Sequence, residues 1–288
     1  MRIIETFRNL FIGGREKLLD MQRSHLIAAA LLIIALLAIV LVAPRMITPQ
    51  EETTSLSGLL KTGRAHLEAG EYEEAIADLE AAVEADPGNG EAHLLLGQVY
   101  NRTDDLLKAK DEFSTVTALE PDSAAGHHNL GVTYFQLGAP DAALAEFEVA
   151  LELDPDDPDT HYQLGVVYLN LSFPADNPLA PPDPQLMEQA AAEFEQALEL
   201  EADMPEALIG IANVYMLQAD FAAAIEALQQ AVEQLPDSPE AYYALGGAYA
   251  QSGDIESACE AYVHFLTLDS PSNWQEQVKG EMAALECP

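Results

Sequence analysis

The stretch HHNLGVTYFQLG, residues 127 to 138, has two close counterparts in the same chain. HLLLGQVYNRTD occupies residues 93 to 104, and HYQLGVVYLNLS occupies residues 161 to 172. Each stretch begins with His, continues with Leu-Gly at its fourth and fifth residues, and has Tyr three residues after the Gly. The three glycines are spaced 34 residues apart: Gly97, Gly131 and Gly165. A fixed period of this length indicates an array of repeated structural units.

The same period extends over most of the chain when it is aligned in 34-residue rows from Leu56. The eighth place of each row holds a small residue: Gly63, Gly97, Gly131, Gly165, Ala212 and Gly246. The twentieth place holds alanine: Ala75, Ala109, Ala143, Ala190, Ala224 and Ala258. The twenty-fourth place holds a large residue: Leu79, Phe113, Phe147, Phe194, Leu228 and Tyr262. The thirty-second place holds Pro87, Pro121, Pro155 and Pro236, with Ala202 and Ser270 as exceptions.

Each row therefore predicts two amphipathic helices joined by a tight turn. Small residues at places eight and twenty let the two backbones approach closely, and the large residue at place twenty-four fills the space beside them. The proline ends the second helix. Because one such hairpin cannot bury its apolar face alone, neighbouring hairpins are expected to stack into a superhelix.

This pattern resembles the tetratricopeptide repeat family over residues 56–272. The resemblance implies an all-α fold, a right-handed superhelical solenoid of six helical hairpins followed by a capping helix at residues 273–288. The six copies are residues 56–89, 90–123, 124–157, 158–204, 205–238 and 239–272. The sequence departs from the family pattern at His66, where Tyr is usual. It also has Asp104 and Ala219 where the turn glycine is common, and we expect both to weaken their turns.

Residues 26–43, LIAAALLIIALLAIVLVA, are apolar without interruption. At about 1.5 Å per residue, a helix of this length covers the hydrocarbon thickness of a bilayer, so we predict a transmembrane helix. A cleaved signal peptide fits less well, because Leu41 is bulky where a small residue is preferred and Pro44 follows the cleavage position directly. We therefore expect an uncleaved anchor in the plasma (inner) membrane.

Five basic residues precede this segment: Arg2, Arg8, Arg15, Lys17 and Arg23. Only Arg45 follows it closely, so the positive-inside rule places the N-terminus in the cytoplasm and the repeats outside it. In the tail at residues 1–25, apolar residues recur at helical spacing. This pattern fits an amphipathic helix on the inner leaflet or, equally, a frayed tail. Residues 44–55, with Pro44 and Pro49, are predicted to be a linker.

The charge of the chain limits its partners. Acidic residues outnumber basic ones 49 to 12, the formal net charge is −37, and residues 111–278 contain no Lys or Arg. Such a surface repels phosphate backbones, which argues against nucleic acid as a partner. It serves solubility alone, or it attracts basic proteins. An acidic convex face that docks a basic soluble protein, such as a c-type cytochrome, is therefore an alternative function.

Histidines and acidic runs are the candidates for a metal site. His93, His127 and His161 occupy the fourth place of successive rows, where the family packs a bulky residue between helices, so we predict a packing role. The run DPDDPD, residues 154–159, is dense in oxygen ligands but lacks the glycine and the distant Glu of a calcium loop. No nucleophile, base or phosphate-binding loop stands outside the repeat pattern. We predict no metal, no cofactor and no enzymatic activity.

The resemblance also implies a binding groove, because the family lines a concave surface with the first helix of each hairpin, mainly through places 2, 5, 6, 9, 12 and 13. On this chain those places include Leu94, Leu95, Gln98, His128, Asn129, Val132, Phe135, Tyr162, Gln163, Val166, Leu169, Ile209, Asn213, Met216 and Tyr243. The lining is mostly uncharged, with exposed aromatic and aliphatic side chains. Family members that grip acidic chaperone tails use Lys, Asn and Arg there, and of these only Asn129 is matched. The groove is expected to capture an apolar or amphipathic protein segment.

The fourth copy carries about 13 extra residues within LSFPADNPLAPPDPQL, residues 171–186. Its prolines favour an extended conformation and continue neither helix. Two interpretations remain open. The segment is a surface loop, since hairpin turns accept insertions at small cost, or it is a docking arm over the groove.

Cys259 and Cys287 are the only cysteines. Cys259 lies early in the second helix of the sixth hairpin, and a capping helix antiparallel to that helix would bring Cys287 back to the same level. Outside the cytoplasm such cysteines form stable bonds, so we predict a disulfide. The alternative is two free thiols.

These features predict a membrane-anchored scaffold that holds another protein in its groove. Its layout is similar to that of the ancillary translocon subunit of bacteria and of repeat-bearing assembly factors. By that analogy, we expect a role in the assembly or biogenesis of a membrane or exported protein complex.

Overall fold

The computed structural model describes residues 55–174 and 180–287. These ranges contain thirteen α-helices and no β-strand, which confirms the predicted all-helical fold. In chain order the helices are α1 Leu56–Ala69, α2 Tyr72–Ala85, α3 Gly90–Arg102, α4 Leu106–Leu119, α5 Ala124–Gln136, α6 Pro140–Leu153, α7 Pro158–Ser172, α8 Pro184–Leu200, α9 Pro205–Leu217, α10 Phe221–Gln234, α11 Pro239–Ser252, α12 Ile255–Phe265 and α13 Ser272–Ala284. Odd-numbered helices up to α11 are the first helices of six hairpins, and even-numbered helices are the second helices. Helix α13 follows the sixth hairpin without a partner of its own.

Several sequence predictions concern residues outside these ranges. The tail at 1–25, the transmembrane helix at 26–43 and nearly all of the linker at 44–55 lie there, as does the middle of the Pro-rich insertion. Among the helices that the structure describes, none combines the length and the apolar composition needed to span a bilayer.

Four first helices begin at the same place of the repeat. The side chains of Asn89, Ser123, Asp157 and Ser238 each accept a hydrogen bond from the backbone N–H three residues later. Such a cap satisfies one of the free N–H groups at the start of a helix and stabilises it by about 1 kcal/mol. The last residue of these rows therefore starts the next hairpin. From Leu59 onward the hairpins form one compact unit in which each packs on the next.

The glycines at place eight allow the two helices of a hairpin to meet around a large side chain. The ring of Phe113 is fully buried, and a Cβ atom added to Gly97 would lie 2.6 Å from it. Phe194 is equally buried, and a Cβ atom on Gly165 would lie 2.8 Å from its ring. A larger residue at Gly97 or Gly165 would therefore displace the aromatic ring that packs on it.

Two turns adopt a left-handed backbone without glycine. Asp104 has φ 62° and Ala219 has φ 60°, in the turns where Gly70, Gly138 and Gly253 stand in other hairpins. Residues other than glycine rarely adopt this conformation because their Cβ atom crowds the neighbouring carbonyl oxygen. Both turns therefore have the same geometry as the glycine turns, and Asp104 and Ala219 adopt a strained backbone conformation to form it.

Three histidines link the second, third and fourth hairpins to the hairpins that precede them. Their Nδ1 atoms contact carboxylate oxygens on the second helix: His93–Glu112 at 2.6 Å, His127–Glu146 at 2.7 Å and His161–Glu193 at 2.7 Å. Their Nε2 atoms contact the carbonyl oxygens of the prolines that follow the preceding second helix: Pro87 at 3.0 Å, Pro121 at 3.2 Å and Pro155 at 3.0 Å. Both nitrogens of each ring therefore have an oxygen within hydrogen-bond distance. The nearly buried rings therefore fill space between hairpins and also connect them through hydrogen bonds.

The Pro-rich segment at residues 171–186 includes the end of one helix and the beginning of the next. Helix α7 continues through Ser172, and α8 already begins at Pro184. Proline is tolerated there because the first helical N–H needs no partner within the helix, and the Asp183 side chain accepts from the N–H of Gln185. The Asp183 backbone N–H also donates to the Ser172 carbonyl oxygen at 2.8 Å, so the two ends of the insertion lie side by side.

Helix α13 covers the end of the sixth hairpin. Val278 is fully buried in a cluster with Tyr262 and Phe265. Cys259 on α12 and Cys287, just after α13, are joined by a disulfide with their Cα atoms 5.6 Å apart. This bond ties the C-terminal end of the covering helix to the last hairpin.

Candidate partner-binding groove

Two cavities open on the surface formed by the first helices and α13. The N-terminal cavity has a volume of about 410 Å³ and is lined by Leu67, Gln98, Asn101, Arg102, His128, Asn129, Val132, Asp159 and Gln163. The C-terminal cavity has a volume of about 430 Å³ and is lined by Ile209, Asn213, Met216, Glu240, Tyr243, Ala244, Gly247, Gln251, Trp274 and Glu281. No second helix contributes to either cavity. Both volumes fall in the range of ordinary ligand pockets.

Every residue that lines these cavities occupies place 2, 5, 6, 9, 12 or 13 of its row. The rule includes α13 when Asn273 is counted as the first place of a seventh row, since Trp274 then holds place 2 and Glu281 holds place 9. The covering helix thus contributes to the groove as a first helix would. The same rule gives Asn101, Arg102 and the α13 residues, which the sequence analysis did not name.

Six of the fifteen predicted groove residues line neither cavity: Leu94, Leu95, Phe135, Tyr162, Val166 and Leu169. Leu95 belongs to the buried core of the first hairpins, so its placement on an exposed lining was wrong. The other five are half-buried and pack against the core. The ring of Tyr162 lies 5.9 Å from the fully buried ring of Phe194. These large apolar side chains thus cover the lines of contact between neighbouring helices.

The N-terminal cavity is mostly polar, and four of its polar residues are among the predicted groove residues: Gln98, His128, Asn129 and Gln163. Only Leu67 and Val132 are apolar among its residues. Within the described part of the chain, the side chains of Gln98, Gln163 and Arg102 have no hydrogen-bond or ion-pair partner. Free carboxamides provide both donors and acceptors, as an extended peptide backbone requires. Arg102 adds a positive charge to a chain that has very few.

His128 is held in one orientation at the wall of this cavity. Its Nδ1 lies 2.6 Å from the Thr160 hydroxyl, and that hydroxyl donates its only proton to Asp157. Nδ1 must therefore carry the proton that it shares with Thr160. Burial lowers the pKa of His128 below its ordinary value, although the charges of Asp157 and Asp159 act in the opposite direction. A neutral ring leaves Nε2 as an acceptor for a ligand.

The C-terminal cavity combines aromatic walls with carboxylates. The rings of Tyr243 and Trp274 have their centroids 5.9 Å apart. Glu281 accepts from the Tyr243 hydroxyl at 3.0 Å and from the Tyr262 hydroxyl at 2.5 Å. Burial and these contacts with Glu281 raise the pKa of Tyr243, so its hydroxyl remains a donor. Glu240 has no side-chain partner among the described residues.

No arrangement in the described ranges points to metal chemistry. They contain no group of three or more His, Cys, Asp or Glu side chains placed to hold a metal ion. The acidic run at residues 154–159 instead serves the repeat, since Asp157 caps α7 and the Pro155 carbonyl oxygen contacts His161.

Comparison with known proteins identifies the repeat. Models described as tetratricopeptide repeat match residues 66–130 and 239–271, and one described as TPR repeat matches residues 134–172 and 212–253. Together they cover more than half of the chain. No curated protein sequence matches it.

Solved structures share the fold. PilF of Pseudomonas aeruginosa superposes with a TM-score of 0.64 at 19% identity, over 79% of this chain and 97% of its own. PilW, described as a type IV pilus biogenesis factor, gives 0.64 at 19% identity, over 74% and 92%. The Cut9–Hcn1 structure of the APC/C gives 0.64 at 20% identity over 74% of this chain, which spans only 40% of that protein. At these identities the likeness concerns the fold alone.

Proposed function

The chain belongs to the tetratricopeptide repeat family of protein-interaction scaffolds, and we propose that it captures a segment of another protein along its first-helix surface. The observation that carries this proposal is that both cavities on that surface are lined from the same six places of successive rows, so they lie along one continuous face of the first helices. The two cavities differ in chemistry, one being polar and the other partly aromatic. An amphipathic segment laid along the surface meets both.

The N-terminal cavity supplies the polar half of this binding mode. Gln98 and Gln163 stand at places 9 and 6 of their rows, on α3 and α7, with unpartnered carboxamides. A segment in extended conformation presents backbone N–H and C=O groups that such amides satisfy, and its alternate side chains remain free for specificity. The C-terminal cavity offers apolar contact surface for a side chain of the segment, through Met216 and Ile209.

We also propose that the scaffold is anchored in the inner membrane by residues 26–43, with the repeats outside the cytoplasm. The uninterrupted apolar run and the basic residues before it support this topology. The disulfide between Cys259 and Cys287 supports it as well, since such bonds persist in oxidising compartments. An alkaline phosphatase fusion after residue 288 is expected to be active in bacteria. A reporter that works only in the cytoplasm, active at the same position, would contradict the orientation.

The pathway that we propose is assembly or biogenesis of a membrane or exported protein complex. This extends the predicted layout of an anchor followed by a scaffold. The description of the structural neighbour PilW as a type IV pilus biogenesis factor is consistent with such a role.

The experiment is a pull-down of the full chain in mild detergent. The double variant Gln98→Ala with Gln163→Ala removes both unpartnered Gln carboxamides of the N-terminal cavity. We expect it to recover much less of the partner than the parent chain does. The matched control is Gln189→Ala with Gln230→Ala, which removes the same two side chains from the second helices α8 and α10. Equal partner recovery by both variants would contradict capture on the first-helix surface.

A second candidate function is electrostatic docking of a basic soluble protein, such as a c-type cytochrome. The observation that favours it is a set of exposed carboxylates on the second helices without any basic residue among them from α6 to α12: Glu148, Glu152, Glu188, Glu199, Glu226, Glu233, Glu256 and Glu260. Salt distinguishes the two functions. Docking through exposed charges weakens strongly as ionic strength rises, whereas capture by apolar and amide contacts does not.

A further inference from the structure

The C-terminal cavity has walls from three elements that are distant in sequence. Helix α9 provides Ile209 and Met216, α11 provides Tyr243, and α13 provides Trp274. These side chains give the cavity a flat aromatic side and a flexible aliphatic side. The aromatic rings are oriented by packing, since Tyr243 also lies 6.1 Å from Phe265.

The charges around this cavity are all negative. Glu240 lies at one edge with no side-chain partner among the described residues. Glu281 lies at another edge. Its carboxylate accepts hydrogen bonds from two tyrosine hydroxyls and forms no ion pair with a Lys or Arg of the described residues. No Lys or Arg lines the cavity, and Lys279 on the same helix pairs with Glu276 at 2.9 Å. The residues that line the cavity therefore give it a negative potential and include no cation to balance it.

We propose that the C-terminal cavity is a receptor for the cationic side chain of an arginine in the captured segment, a proposal that rests on the proposed function of the groove. The guanidinium lies against the Trp274 and Tyr243 rings and pairs with Glu240. Its aliphatic stem packs on Met216 and Ile209. Aromatic faces attract cations, and a planar guanidinium stacks on them better than an ammonium does. The stem of a long cationic side chain covers apolar surface while its head keeps its charge partners.

Trp274 allows this proposal to be tested without a label. It is the only tryptophan of the chain, so the intrinsic fluorescence reports directly on one wall of the cavity. The probes are two eight-residue alanine–leucine peptides that differ only at one central residue, arginine in one and citrulline in the other. Citrulline keeps the shape and removes the charge. With the full chain in detergent, we expect saturable quenching by the arginine peptide and an affinity for the citrulline peptide about tenfold lower.

A variant separates the cavity from the general charge of the protein. Glu240→Gln is expected to weaken binding of the arginine peptide about fivefold and to leave binding of the citrulline peptide unchanged. The control Glu226→Gln makes the same change of charge at an exposed position of α10 and is expected to have no effect. Equal affinities for the two peptides would overturn the proposal. An equal loss in both variants would also overturn it, because the attraction would then belong to the whole acidic surface.

Failure of the arginine receptor can be distinguished from failure of the proposed function. Retention of the partner by the Gln98 and Gln163 double variant contradicts capture by the groove and does not alter the peptide measurement. Equal affinities for the two peptides contradict the arginine receptor and leave partner capture by the N-terminal cavity unchanged. Circular dichroism of each variant, with helical content equal to that of the parent, ensures that lost binding is not lost folding.

Discussion

The ring of Phe194 occupies the space that a side chain on Gly210 would need, since an ideal Cβ atom there would lie 2.6 Å from the ring. Phe194 belongs to the fourth hairpin and Gly210 to the first helix of the fifth, so this contact sets the distance between neighbouring hairpins. Gly210→Ala is expected to lower the free energy of unfolding by about 1 to 3 kcal/mol, because the buried ring has no free space into which to move. Urea unfolding followed by circular dichroism measures the change.

Gly280 provides the matched control for that substitution. It also lies within a helix, but a Cβ atom there would meet nothing within 4 Å. Gly280→Ala is expected to leave stability unchanged or to raise it by up to about 1 kcal/mol, because alanine favours the helix. If both alanine variants behave alike, the contact with Phe194 does not set the spacing.

Ala219 offers a way to stabilise the fifth hairpin. Its φ of 60° is unfavourable for alanine and ordinary for glycine. Ala219→Gly is expected to raise the free energy of unfolding by about 1 kcal/mol. Ala222→Gly, at an exposed position early in α10, should instead lower it by about 1 kcal/mol. A loss of stability in both variants would show that the turn at Ala219 is not strained.

Glu146 is expected to stabilise the link between the second and third hairpins. Its carboxylate faces Nδ1 of His127, whose other nitrogen is occupied by the Pro121 carbonyl oxygen. Glu146→Ala leaves a nearly buried donor without an acceptor, and the expected loss of stability is about 1 to 3 kcal/mol. Glu148→Ala, at an exposed position on the same helix, should change stability by less than about 0.5 kcal/mol. Similar thermal unfolding of the two variants would exclude a structural role for the pair.

Acidification is expected to lower the stability of the folded protein through protonation of His128. Its pKa is lowered by burial, so the unfolded chain binds the proton at a higher pH than the folded chain does. The contribution of His128 is therefore complete above about pH 6.5 and declines as pH falls below that value. An NMR titration of the histidine side chains, with His128→Gln for assignment, should give a midpoint for His128 below 6.5. A midpoint above 6.5 would mean that Asp157 and Asp159 dominate over burial.

The disulfide should protect the end of α13. Closing the segment from Cys259 to Cys287, a sequence separation of 28, is worth about 3 to 4 kcal/mol by the chain-entropy model. Cys287→Ser is expected to increase hydrogen exchange in α13 strongly and in α1 to α10 little, because contacts in a repeat array reach only neighbours. Mass spectrometry of the non-reduced protein establishes the bond itself. Two free thiols in protein from an oxidising compartment would contradict it.

Much of this organisation follows from the period of the sequence. Places eight and twenty-four predict that Gly97 and Phe113 meet, and six places of the first helix include every residue that lines the cavities. These features are repeated in each hairpin, so sequence spacing alone predicts them. The same spacing extends to α13, where Trp274 and Glu281 take groove places.

What the period does not predict depends on the neighbours of each side chain. Phe135 and Tyr162 stand at groove places, but their rings lie over apolar seams and pack against the core. The hydrogen bonds of His127 need a carboxylate from one helix and a carbonyl oxygen from the preceding hairpin, which no single row contains. The charged residues of the N-terminal cavity, Arg102 and Asp159, likewise come from separate rows.

The disulfide has a consequence for the C-terminal cavity. Trp274 and Glu281 reach the C-terminal cavity because α13 packs against the sixth hairpin through Val278, and the bond at Cys287 holds the C-terminal end of that helix in place. Reduction of the bond would leave the C-terminal end of this wall unsecured. The affinity of the cavity for a ligand should therefore depend on the redox state of the two cysteines.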